Sequence, residues 1–198
     1  MTDVCPHYAK KRDDHPDAQR KKLVELMGQS GDAYMPEADV IKMPGDGSCL
    51  FHSLAYGLGR FGNTSTASAL RARLMDWLSG NGDANIADTP VREWVKGDSG
   101  SSVANYTARM RGCGWGGGIE MAAFAHLHGI GVCVYERTCQ SIYPYKRIAR
   151  FDAGGRDGAS EKYVDVLYCG GVHYDALVAR AEPVELENEP RNRHLPPP

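Results

Sequence analysis

The chain lacks any run of ~18 apolar residues, so its sequence predicts no membrane-spanning helix. It also lacks a charge excess. Lys and Arg number 23 against 25 Asp and Glu, for a formal net charge of -2. That balance, with a pI near 6.4, excludes a nucleic-acid binder held by bulk charge. The opening residues Thr2, Asp3, Val4 and Cys5 lead straight into charged sequence, without the apolar stretch of a signal peptide. There is no internal repeat. Six cysteines stand at irregular spacing (5, 49, 113, 133, 139 and 169), which is no disulfide framework for 198 residues. A reducing, intracellular and cytoplasmic setting is expected, with nuclear access or a host-cell cytosol also compatible. Hydrophobic residues at 42% and charged residues at 24% are ordinary for a globular protein with a real core.

What the chain does have is one cysteine in a distinctive setting. Pro44-Gly45-Asp46-Gly47-Ser48-Cys49-Leu50-Phe51-His52-Ser53 delivers a thiol from a glycine-punctuated loop to the start of a helical period. A thiol is a nucleophile only as thiolate, and a helix N-terminus favours negative charge. The backbone N–H groups near Gly47, Ser48 and Cys49 are natural donors for an oxyanion. Far along the chain, Val172-His173-Tyr174-Asp175-Ala176-Leu177 reads as a strand, where alternate side chains share a face. His173 is thereby a candidate base and Asp175 the carboxylate that orients it. A lone His-x-Asp is ordinarily a surface pair; here a nucleophile with matching needs accompanies it. Asp46 reads as a turn residue that braces the loop through backbone hydrogen bonds.

Periodicity places helices first and strands later. Helical spacing runs over Cys49 to Leu58, over Ala67 to Leu78 with Leu70, Leu74, Trp77 and Leu78 inward, over Val91 to Val95, over Val103 to Met110 and over Gly117 to His128. A short strand is expected at Val40 to Met43. Further strands are expected at Gly131 to Tyr135, Ile148 to Phe151, Tyr163 to Tyr168 and His173 to Ala179, with turns at Gly154-Gly155 and Gly170-Gly171. The fold class is therefore α+β, with helices packed on a small central sheet. Three segments are expected: 1–35, a charged stretch with a short helix from Asp17 to Gly28; 36–181, the catalytic domain; and 182–198, a disordered acidic and proline-bearing tail.

Other signals fall away. Gly112-Cys113-Gly114-Trp115-Gly116-Gly117 spells G-x-G-x-x-G, but the residues before it have helical spacing and a tryptophan would crowd a pyrophosphate. No Walker lysine follows. Cys133 with Cys139, and His126 with His128, lack zinc-ligand spacing or a shared face. No metal or cofactor is expected. His52 is expected to pack at the flank of its helix.

The Asp46–Ser53 motif resembles the nucleophile motif of the ovarian-tumour (OTU) family of deubiquitinating cysteine proteases. Trp115-Gly116-Gly117-Gly118-Ile119-Glu120-Met121 resembles that family's central Trp-Gly motif, and His173-Tyr174-Asp175-Ala176-Leu177 its C-terminal histidine motif. The resemblance covers Asp39 to Ala179. It implies a papain-like fold and thiol-dependent hydrolysis of isopeptide bonds at the C-terminal glycine of ubiquitin. It implies Cys49 as nucleophile, His173 as general base, Asp175 as the triad's acid and Asp46 as the aspartate near the oxyanion hole. Gly47, Ser48, Trp115 and Gly116 are then the substrate-binding positions. Ubiquitin or polyubiquitin is the implied partner, and a monomer is expected. Two alternatives stay open: a protease for a ubiquitin-like modifier, and an OTU-like module that binds ubiquitin without cutting it.

Overall fold

A computed structural model describes residues 33–86, 89–153 and 161–185. Its strands are β1 (Ala33–Met35), β2 (Ala38–Ile41), β3 (Asn85–Ile86), β4 (Thr89–Pro90), β5 (Gly131–Arg137), β6 (Tyr145–Phe151), β7 (Tyr163–Cys169), β8 (His173–Ala179) and β9 (Val184–Glu185). Its helices are α1 (Cys49–Gly59), α2 (Ala67–Gly80), α3 (Val91–Ser99), α4 (Val103–Gly112) and α5 (Gly118–His128). The α+β class expected from periodicity is what the structure has.

Two of the described helices start at a hydroxyl cap. The Thr66 hydroxyl accepts from Ala69 N–H at 3.1 Å to cap α2, and Ser102 accepts from Asn105 N–H at 3.3 Å to cap α4. Seven strands form one mixed sheet in the order β2-β8-β7-β5-β6-β1-β9, while β3 and β4 pair as a small separate ribbon. Among the described residues only β5 and β7 pair in parallel; the other pairings in the large sheet are antiparallel. The helices cover one face, burying Leu50, Phe51, Leu54, Leu70, Leu74 and Phe124 against Val132, Val134 and Val166. A smaller cluster of Met35, Cys133, Tyr135, Tyr145, Leu167 and Leu177 lies apart from it. With both faces apolar, β5 reads as a continuous hydrophobic run rather than an alternation.

Helix α1 lies directly on β7 because Gly57 has no side chain. A Cβ there would stand 2.3 Å from Cγ1 of Val164. Gly57→Ala is therefore expected to overpack this seam and destabilise the fold by about 1–3 kcal/mol. Chemical denaturation checks this, and an unchanged midpoint would show that α1 shifts freely on the sheet.

Two expected boundaries move. The sequence places 33–35 in the N-terminal segment and 184–185 in a disordered tail, whereas in the structure β1 and β9 pair with each other through Ala33↔Glu185 and Tyr34↔Val184. Ala33 and Met35 are fully buried. The sequence shows no sign of this because two- and three-residue strands are too short to carry a period. The helix expected at Asp17 to Gly28, the Gly154-Gly155 turn and the remainder of the tail lie outside the described residues. Trp77, expected to point inward, is only partly buried and stacks on His126 with centroids 5.6 Å apart; Met75 takes the core position.

Candidate active site

Cys49 is the first residue of α1 and is 9% exposed. Its helix packs on the sheet so that the sulfur meets the start of β8, where the backbone N–H of Tyr174 reaches it. His173, the residue before Tyr174, is the first residue of that strand. Burial pushes the Cys49 thiol up, the Tyr174 and Leu50 N–H groups pull it down, and the Asp46 carboxylate pushes it up again. The balance is a raised value. The sequence suggested a helix start poised for thiolate; in the resting site desolvation outweighs that pull, so the thiol needs a base. Cys133 is a contrast: burial inside the sheet pushes it to about 12.

His173 and Asp175 share one face of β8, as alternation requires. His173 Nε2 lies 3.1 Å from Asp175 Oδ1. Asp175 is fully buried, and its other donors come from the chain just after β2. The β2–β8 register pairs Ile41 with Ala176, and its continuation sets Lys42 beside Asp175. Lys42 Nζ donates to Oδ2 at 2.8 Å and Met43 N–H to Oδ1 at 3.0 Å. The Cys169 thiol adds a weaker contact to Oδ2 at 3.6 Å. Burial pushes the Asp175 carboxyl up, but the Lys42 ammonium, Met43 N–H and His173 together outweigh it and hold it below the ordinary value. An ionised carboxylate only accepts, so the contact requires a proton on Nε2, and in the neutral ring the lone pair is then on Nδ1.

Asp46 stands in the loop before Cys49, apart from this pair. Its Oδ1 accepts Ser48 N–H at 2.8 Å, and its Oδ2 lies 2.9 Å from His52 Nε2. Burial pushes this carboxyl up, and the His52 and Ser48 hydrogen bonds bring it below the ordinary value. Asp46 therefore braces the loop through a backbone hydrogen bond, as its sequence position suggests. His52 contributes to the brace rather than merely packing at the helix flank. Ser48 N–H, one of the expected oxyanion donors, is already committed to Asp46. Gly47 makes the turn with φ +82°, a conformation that favours glycine.

Gly116 lies against the nucleophile helix. A Cβ there would stand 2.7 Å from Leu50 Cδ2 and 3.1 Å from Phe51 Cε2. Trp115 beside it is half-buried. The loop's far end is fixed by Glu120, 1% exposed, which accepts Gly117 N–H at 2.8 Å and the Tyr106 hydroxyl at 2.6 Å. Two residues of the site were missed by sequence reasoning. Lys42 left no signal beyond its place after a strand. Arg71 left one, a charge on the buried face of α2 one turn from Ala67 and from Met75. Among the described residues, no group of three or more His, Cys, Asp and Glu could hold a metal ion.

Asp175 and Asp46 both have lowered values, so the stability they contribute is present above the ordinary 3.8 and lost as pH falls through the lower folded values. Between about pH 5 and about pH 3, Asp175→Asn is expected to lose stability less steeply than the parent. Urea midpoints across that range check it; parallel curves would mean Asp175 is not held ionised by its partners.

No family model matches the chain. The chain is 29% identical over 153 residues to the ovarian tumor domain-containing deubiquitinating enzyme 4 of Arabidopsis thaliana, a match covering 75% of this chain and 46% of that protein. The chain thus spans about half the length of this curated relative. The fold is similar to an OTU deubiquitinase from Wolbachia pipientis wMel bound to ubiquitin, with TM-score 0.52 and 22% identity over 72% of this chain and 96% of that one. It is similar too to the Hazara virus OTU bound to ubiquitin, with TM-score 0.53 and 19% identity over 80% of this chain and 99% of that one. The chain has the fold of an OTU domain. The resemblance carried by its three motifs is therefore borne out by the fold and by the similarity to a deubiquitinating enzyme.

Proposed function

We propose that this protein is a deubiquitinase that cleaves isopeptide bonds at the C-terminal glycine of ubiquitin. The geometry that supports the reading is a His173 held through Nε2 by Asp175 at the start of β8, the strand whose Tyr174 N–H reaches the Cys49 thiol at the N-terminus of α1. The similarity to a deubiquitinating enzyme and to OTU domains bound to ubiquitin supports the choice of substrate.

In this reading His173 Nδ1 takes the thiol proton as Cys49 Sγ attacks the glycine carbonyl. The N–H groups of Cys49 and Gly47 receive the oxyanion, since Ser48 N–H is held by Asp46. The imidazolium then gives its proton to the departing lysine amine, and the C–N bond breaks. Water, deprotonated by His173, hydrolyses the thioester and releases ubiquitin with a free carboxylate. Asp175 keeps the ring in one tautomer and stabilises the imidazolium. Trp115 and Gly116 wall the path of the ubiquitin tail, whose two glycines need a narrow channel. Free thiol chemistry of this kind belongs to a reducing, intracellular compartment.

The test is incubation with each type of diubiquitin and with ubiquitin carrying a C-terminal fluorogenic amide. Release of monoubiquitin and fluorophore is expected. Binding without cleavage would make the domain a ubiquitin-binding module. Cleavage only of ubiquitin-like modifiers would move the substrate assignment to that class.

A further inference from the structure

Arg71 lies in the middle of α2 and is only 7% exposed. A guanidinium cannot shed its proton, so burying one costs several kcal/mol unless its donors are matched. Here they are. Nη1 donates to the carbonyls of Met110 and Gly114, each at 2.9 Å. Nη2 donates to the Gly47 carbonyl at 3.2 Å and to Ser48 Oγ at 3.0 Å. The guanidinium carbon also sits 3.9 Å from the centroid of the Phe51 ring. All four acceptors are neutral. Glu120 and Asp46 supply opposite charge nearby without hydrogen-bonding to it.

The positions of these partners matter. Gly47 and Ser48 lie in the loop that presents Cys49, while Met110 and Gly114 lead into the Trp115–Gly116 loop. One side chain therefore joins both. The peptide unit between Gly47 and Ser48 is held at each end: its carbonyl by Arg71 and its N–H by Asp46. The next peptide unit, which carries the Cys49 N–H, is held in turn where its Ser48 carbonyl accepts His52 N–H at 2.9 Å.

We propose that Arg71 is a positioning residue for the reaction: it locks the oxyanion loop in register with the Trp115–Gly116 loop, so that the Cys49 N–H is aimed before substrate arrives. The proposal rests on the deubiquitinase reading above. Preorganised donors of this kind stabilise charge in the transition state rather than the bound substrate. The proposal therefore concerns kcat more than KM, and the loops more than the thiol.

Arg71→Lys keeps the charge but cannot reach both loops at once. On the fluorogenic ubiquitin amide its kcat is expected to fall on the order of ten- to a hundredfold, with KM within about twofold. Alkylation of Cys49 by iodoacetamide needs thiolate but no oxyanion hole, so its rate–pH profile is expected to match the parent. Amide exchange is expected to rise in both peptides, 45–50 and 113–118. An unchanged kcat, an alkylation rate that falls in step with kcat, or exchange rising in one loop alone would each overturn the proposal. Should Arg71→Lys not fold, Ser48→Ala removes a single acceptor. It is expected to lower kcat severalfold and to raise exchange at 45–50 with Tm unchanged, and parental values in both would overturn the proposal. If the parent itself releases no fluorophore, the deubiquitinase reading fails, and exchange in the two loops alone decides whether Arg71 couples them.

Discussion

Cys49→Ala is expected to abolish hydrolysis of ubiquitin conjugates while leaving the fold intact. Of the other described cysteines, Cys169 has its thiol pushed up by burial and by the Asp175 carboxylate. Cys133 is buried in the sheet with its thiol pushed up to about 12. Removing a nucleophile that works as a unit with its base costs on the order of 10⁶ in kcat. The fold should tolerate the change, because Cys49 stands at a helix start and alanine is the best helix former. Its hydrogen-bonding role is small beside that of Ser53, whose hydroxyl donates to the Cys49 carbonyl at 2.9 Å and survives the substitution. Turnover measured beside a thermal melt checks both halves, with Cys133→Ala as an active control. Residual activity near the parent's would remove Cys49 from the mechanism.

His173→Ala is expected to be nearly as damaging, with a loss of at least about 10⁴ in kcat. The reason is specific to this site: burial holds the Cys49 thiol above its ordinary value, so without a base it stays protonated near neutral pH. The residual rate should therefore climb as pH rises and the thiol ionises unaided. Asp175→Ala should be milder, since an orienting carboxylate contributes less than base or nucleophile. Asp46→Ala is expected to act on the loop through Ser48 and His52 rather than on His173. Parental turnover in Asp175→Ala combined with a dead Asp46→Ala would make Asp46 the third member instead. A flat, pH-independent residue of activity in His173→Ala would contradict the role of base.

The site was legible in sequence where its parts are local. The Gly-Asp-Gly-Ser-Cys loop announces a turn and a helix start, and His173 with Asp175 announces one face of a strand. What was not legible is how distant segments support them. Lys42 reaches Asp175 only because β2 pairs antiparallel with β8, a register that two short strands do not disclose. Arg71 was visible as a charge on an apolar helix face, but its carbonyl partners are 24 to 43 residues away, in the Gly47 loop, in α4 and in the loop after it. The β1–β9 pairing was missed for the same physical reason, too few residues for a period and a partner more than a hundred residues away. The burial that raises the resting thiol was not legible, because a sequence shows a helix N-terminus and not how deeply it is buried.

The most direct test is intact-mass analysis of the protein mixed with ubiquitin bearing a C-terminal thiol-reactive group, run beside Cys49→Ala. A one-to-one covalent adduct that the variant does not form is the expected result, because it requires ubiquitin recognition and Cys49 reactivity together. A folded parent that forms no adduct, or a variant that still forms one, would contradict the account.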